Sequence, residues 1–144
     1  MQRDEIKKRI PHREPFLWVD EVIEMGPRHI HARKALPADL EVFSGHFPGR
    51  PIFPGVRQCE AAFQAAAILM SQMGEASDGV IPVVTRQNNT KFRNLVRAGE
   101  TIDIEVELVE TLANAFFFNG KVSAGGKVTV RLEFACALVA ADSE

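Results

Sequence analysis

The stretch GHFPGRPIFPGVRQCEAAFQ, residues 45–64, constrains this chain more than any other part of it. Pro48, Pro51 and Pro54 stiffen the backbone, and Gly45, Gly49 and Gly55 admit tight turns. A loop of that kind holds a side chain in place. The side chain in it with chemistry to offer is His46, flanked by Phe47. Pro54 then opens a strong helical pattern that runs to Met73, with apolar residues at Val56, Cys59, Phe63, Ala66, Ala67 and Met70, in steps of three and four. Gly74 stands where helices commonly stop.

With Val56 at zero on a wheel of about 100° per residue, Glu60 falls at about 40°, beside the apolar stripe. Burial disfavours a carboxylate, so Glu60 is expected to keep its proton to higher pH than an exposed glutamate. A carboxyl group still protonated near neutrality is what a general acid needs. Gln64, four residues on, is within reach of it. The amides of Gly55 and Val56 lack intrahelical acceptors and sit at the positive end of the helix dipole, so they are candidate donors to an oxygen that gains charge. A histidine can take up a proton near neutral pH. Base, acid and oxyanion donor are the parts needed to remove a proton beside a carbonyl and expel a β-hydroxyl. The plainer alternatives are a structural loop histidine and a glutamate whose head reaches solvent.

The rest of the chain supplies the frame. Residues 1–9 read as a short polar helix or arm, 16–24 and 28–36 as strands, and the proline-rich 37–54 as irregular. Beyond the helix the period changes to two. Residues 80–85 form an apolar run, Ile102, Ile104, Val106 and Leu108 alternate with acids, and residues 115–124 and 128–138 form a hairpin around Gly125-Gly126. Ala98-Gly99 marks a further turn. One long helix among about six mostly antiparallel strands implies an α+β fold, a sheet curved around the helix. Such a sheet leaves edges, so a second copy of the chain is expected beside it.

The chain's 144 residues fit one domain over 1–144. A net charge of −2 argues against general nucleic-acid binding. No stretch approaches the ~20 apolar residues of a membrane span, and the charged N-terminus is no signal peptide, so a cytoplasmic protein is expected. Cys59 and Cys136, in apolar surroundings, read as buried free thiols. His29 and His31 share a strand face without further ligands in pattern, so no metal site is expected. His12-Arg13 reads as packing of the N-terminal turn, and Phe116–Phe118 as sheet core and interface. Lys91, Arg93 and Arg97 are either a solvated edge or a docking patch for an acidic partner.

IPHREPFLWVDEV (10–22), GHFPGRPIFPGV (45–56), EAAFQAA (60–66), KFRNLVRAGE (91–100) and the final EFACALV strand together resemble the FabZ-type (3R)-hydroxyacyl-[acyl-carrier-protein] dehydratases. The resemblance implies a hotdog fold, an antiparallel β-sheet wrapped around one long central α-helix. It also implies a homodimer or trimer of dimers, with sites at the dimer interface. His46 matches the family's catalytic histidine, and Glu60 the acidic residue that faces it from the other subunit. Gly55 matches the residue whose amide binds the thioester carbonyl. The implied partner is an acyl carrier protein bearing a phosphopantetheine-linked chain, and no cofactor is implied. Glutamate at position 60, rather than the aspartate of the FabA type, favours simple dehydration.

The chain departs from the family pattern at Glu14, Trp18, Arg57 and Gln58. Arg57 can pair with Glu60 and lower its pKa, face a subunit interface, or bind a carrier phosphate. Two other functions therefore stand beside dehydration: a hotdog thioesterase or enoyl-CoA hydratase, and a non-catalytic acyl-carrier-binding subunit.

Overall fold

Alternation of apolar and polar residues builds the second half of the chain into long strands. In the computed structural model, which describes residues 1–73 and 79–140, these are β3 (Val80–Phe92), β4 (Thr101–Leu112), β5 (Ala115–Ala124) and β6 (Lys127–Ala140). Before them come α1 (Arg3–Arg9), β1 (Glu21–Met25), β2 (His29–Ala35), the short α2 (Val42–Gly45) and α3 (Gly55–Met70). The strands form one antiparallel sheet in the order β1-β2-β4-β5-β6-β3. The β5–β6 turn is made by Gly125 and Gly126, with φ of 58° and 80°, a region that glycine enters at little cost.

The sheet closes over α3, the hotdog arrangement. Ala61, Ala62, Ala65 and Ala66 are completely buried, and these small side chains let the sheet come near. Gly120 on β5 serves the same end: a Cβ there would lie 2.9 Å from Leu132 and 3.5 Å from Ala62. Phe63 and Phe118 each pack a ring on Phe134, at centroid distances of 4.9 and 5.2 Å. The N-terminal segment lies along the helix as well. Arg9 Nη1 donates to Ser71 Oγ over 3.3 Å, and Ile6, Leu17 and Trp18 join the core.

Several expectations change here. Burial reaches almost all round the helix, because the sheet and the N-terminal segment both cover it; Gln58 and Gln64 lie inside with the alanines. Val56, counted in the apolar stripe, is 69% exposed, since it stands in the first turn beyond the reach of that cover. The strand expected over 16–24 begins only at Glu21, because the Trp18 amide donates to a side chain rather than to a ladder. The strand read over 80–85 continues to Phe92 through irregularities after Val84 and Asn88. Within 37–54 a single helical turn forms at Val42–Gly45. The expected stop at Gly74 lies outside the described residues. Cys59 and Cys136 are buried free thiols. No described helix is long and apolar enough to cross a membrane.

Candidate active site

His46 follows α2, and its side chain is set by the loop that the prolines stiffen. The ring Nδ1 lies 2.9 Å from the Ile52 carbonyl, which can only accept, so Nδ1 donates to it and in the neutral ring the lone pair sits on Nε2. The Ile52 amide returns a bond of 2.9 Å to the His46 carbonyl, which locks the loop across the same two residues. Phe47 stacks on the imidazole, with ring centroids 4.1 Å apart. Held this way, a neutral ring can accept a proton at Nε2 without turning.

His46 and Phe47 line a cavity of about 330 Å³ with Pro54, Gly55, Val56 and Phe92. Pro54 caps α3, and its carbonyl accepts from Arg57 and Gln58. Among the described backbone bonds none takes up the amides of Gly55 or Val56. Two free N–H groups at a helix start, beside a base and inside an apolar cavity, form a donor site for a developing oxyanion. The missing side chain of Gly55 has a further use: a Cβ would fall 2.5 Å from the Phe92 ring, so glycine lets that ring lie against the helix start.

Glu60 stands one turn deeper, half-buried. Gln64 Nε2 donates to its Oε2 over 3.0 Å. Gln64 is completely buried and fixes the neighbouring chain too, accepting from the Trp18 amide at 2.7 Å and donating to the Phe16 carbonyl at 2.8 Å. Burial pushes the Glu60 carboxyl above the ordinary range, while the Gln64 bond and the Arg57 charge pull it back less strongly. Cys136 on β6 faces the same corner, and burial together with the Glu60 charge pushes its thiol up to about 12.

Arg57 makes no ion pair with Glu60 among the described residues. Its guanidinium lies over the rings of Phe16 and Trp18, 5.5 Å from each centroid. Gln58, the other unusual residue, is buried. It accepts from Thr129 at 2.6 Å and reaches the Phe53 carbonyl at 3.3 Å, tying the helix start to β6.

The two halves of the candidate site are not joined within one chain. His46 and Glu60 share no hydrogen bond or ion pair among the described residues, and Glu60 is absent from the lining of the His46 cavity. Of the three basic residues, Lys91 and Arg93 line one surface depression together with Arg131 and Glu133, and Arg97 stands apart. Two neighbours were not anticipated as functional. Phe92 covers Gly55. His12 sits beside Glu60, with Nε2 3.8 Å from Oε2. Neither is visible in periodicity, because each reaches the site from a distant segment. The His29 and His31 rings instead meet Glu24 and Asp103, each over 2.8 Å. No group of three or more His, Cys, Asp or Glu side chains among the described residues is placed to hold a metal ion.

A family profile described as a FabA-like domain matches residues 10–133, which takes in His12, His46, Gly55 and Glu60. The chain belongs to the FabA-like family. Within the FabA-like proteins it is 40% identical over 137 residues to the 3-hydroxyacyl-[acyl-carrier-protein] dehydratase FabZ of Caulobacter vibrioides, covering 94% of this chain and 86% of that one. The FabZ of Erythrobacter litoralis is 43% identical over 133 residues, covering 90% and 87%. Among solved structures, the dehydratase heterocomplex ApeI:P of Xenorhabdus doucetiae superposes with a TM-score of 0.79 at 19% identity, covering 93% of this chain and 90% of that one. At that identity the match speaks for the FabA-like fold alone.

Proposed function

We propose that this chain dehydrates (3R)-3-hydroxyacyl thioesters carried on acyl carrier protein to the trans-2-enoyl thioesters. The observation that carries the reading is the His46 ring, held at Nδ1 by the Ile52 carbonyl, beside the free amides of Gly55 and Val56. These amides hold the thioester oxygen while Nε2 of His46 takes the C2 proton. The C3–O bond then breaks, the Glu60 carboxyl gives its proton to the departing hydroxyl, and water leaves as the C2–C3 double bond forms. His46 ends protonated and Glu60 ionised, and one proton passing between them restores both.

The working unit is a homodimer, in which His46 of one copy faces Glu60 of the other. Supporting this, β3 is an uncovered edge 13 residues long. The apolar side chains of Phe47, Val56, Phe92 and Leu95 stand exposed around the cavity, where a second chain would cover them. Sedimentation distinguishes a dimer from a trimer of dimers, and a stable monomer would contradict the pairing.

The test is an assay of 3-hydroxyacyl substrates of several chain lengths, on carrier protein and on coenzyme A. Formation of enoyl product on carrier protein is expected. Release of free thiol would instead mark a thioesterase, a strong preference for coenzyme A a hydratase, and carrier binding without turnover a non-catalytic subunit.

The basic depression of Lys91, Arg93 and Arg131 is proposed as the docking place for the acidic carrier. Reversing Lys91 and Arg93 to glutamate should raise KM for carrier-bound substrate about 10-fold, with little change for a short pantetheine thioester. That difference should shrink as salt rises.

Arg57→Leu removes a cation that holds the Glu60 pKa down. The carboxyl then keeps its proton to higher pH, so the alkaline limb of the kcat/KM profile should move upward. A downward move would contradict the acid role of Glu60.

A further inference from the structure

We propose that His12 is a positioning residue for the proton of Glu60, an inference that rests on the dehydratase reading of this site. The two residues approach from different elements, Glu60 from α3 and His12 from the turn after α1. Both are largely enclosed: the side chains are 24% and 23% exposed. The His12 Nδ1 is buried with no hydrogen-bond partner among the described residues. The ring therefore has one outlet for a proton or a hydrogen bond, Nε2, and that nitrogen faces Glu60 Oε2 at 3.8 Å. The separation exceeds a hydrogen bond by somewhat under an ångström, a gap of the kind that closes when substrate fills a catalytic site.

The ring is held there by its neighbour. Arg13 Nη1 donates to the carbonyls of Ile10 and His12, at 3.0 and 2.7 Å, and its Nη2 to that of Lys7 at 2.9 Å. Three carbonyls gathered on one guanidinium fix the turn that presents His12. Burial, aided by the Arg13 charge, also keeps the imidazole neutral to lower pH than usual. A neutral ring does not draw Glu60 toward its ionised form, as an imidazolium would. It caps the carboxyl against water and offers a nitrogen lone pair to the protonated Oε2, which leaves the proton on Glu60 until the substrate hydroxyl needs it. Within one chain the other groups that face this carboxyl are Gln64, which donates to it, the Arg57 cation, and Cys136, whose thiol pKa burial and the Glu60 charge raise; in the proposed dimer His46 of the second copy faces it as well. Of the groups within one chain, His12 alone is of a type that changes charge near neutrality.

The experiment compares the full-length wild type with His12→Ala, His12→Phe and His12→Gln. The Glu60 side-chain carboxyl is followed by carbon NMR against pH, its signal identified by its loss in Glu60→Gln. In His12→Ala the Glu60 pKa should fall by about half a pH unit or more as water reaches the carboxyl. Turnover near pH 7 should drop about 10-fold with KM within about 2-fold. His12→Gln, whose amide reaches about as far as Nε2, should recover turnover to within about 3-fold of wild type. His12→Phe, which fills the space without a polar atom, should not. An unchanged Glu60 titration in His12→Ala, or full activity in His12→Phe, overturns the proposal and leaves His12 as packing. A wild type that dehydrates nothing sinks the dehydratase reading, while the NMR titration still decides whether His12 governs the Glu60 proton.

Discussion

Glu60→Gln should lower turnover of a carrier-bound 3-hydroxyacyl thioester by at least about 100-fold, with the fold intact. The amide keeps the shape of the carboxyl and can still meet Gln64, but it has no acidic proton to give the leaving hydroxyl. His46→Ala should cost at least as much, since it removes the lone pair that the Ile52 carbonyl sets in place. The two losses should not add in the double variant, because both residues serve the same elimination. A Glu60→Gln enzyme with near-normal turnover would refute the mechanism.

The same variant makes a stability prediction with a definite sign. The folded-state pKa of Glu60 lies above its ordinary value of 4.5, so the folded protein binds more protons than the unfolded chain between the two. Stability from this residue is therefore complete below the ordinary pKa and is lost as pH rises through the raised one. Glu60→Gln escapes that loss. Thermal melts should show the variant gaining on wild type as pH rises above the ordinary value of 4.5. A site that sacrifices stability to keep a proton is expected where the proton is used.

The second large effect is structural. Gln64→Leu should destabilise the protein by about 2–4 kcal/mol, because it strips the partner from the Trp18 amide and the Phe16 carbonyl at a buried position. At fixed protein concentration the melting midpoint should fall by about 10 °C. Turnover should fall as well, since Glu60 loses the donor that orients it. Gln58→Leu is the control. Thr129 keeps the Val122 carbonyl as an acceptor at 3.1 Å, so the cost there should stay near or below about 1 kcal/mol. Equal losses in the two variants would mean that the N-terminal strap, residues 16–18, does not depend on Gln64.

Local chemistry made much of this legible in the chain itself. The proline- and glycine-stiffened loop located His46, and the three-four spacing from Pro54 located α3. The alternation after Thr101 located β4, β5 and β6, with β5 falling on the residues expected. These features depend on neighbours in sequence, so periodicity and turn chemistry reveal them. The i, i+4 contact of Glu60 with Gln64 is of the same kind.

Only the tertiary structure decided which helix faces are covered. A wheel assumes one buried side, whereas a curved sheet and an N-terminal strap enclose α3 nearly all round; Gln64 is thus buried and Val56 is not. It also decided that Arg57 rests on Phe16 and Trp18 instead of pairing with Glu60, and that Phe92 and His12 join the site from segments far away in sequence. The chain by itself determined the groups available, an imidazole, a carboxyl and amides at a helix start. Folding determined their surroundings, because burial, and with it the pKa of Glu60, follows from cover by segments tens of positions away, and no local pattern encodes those contacts.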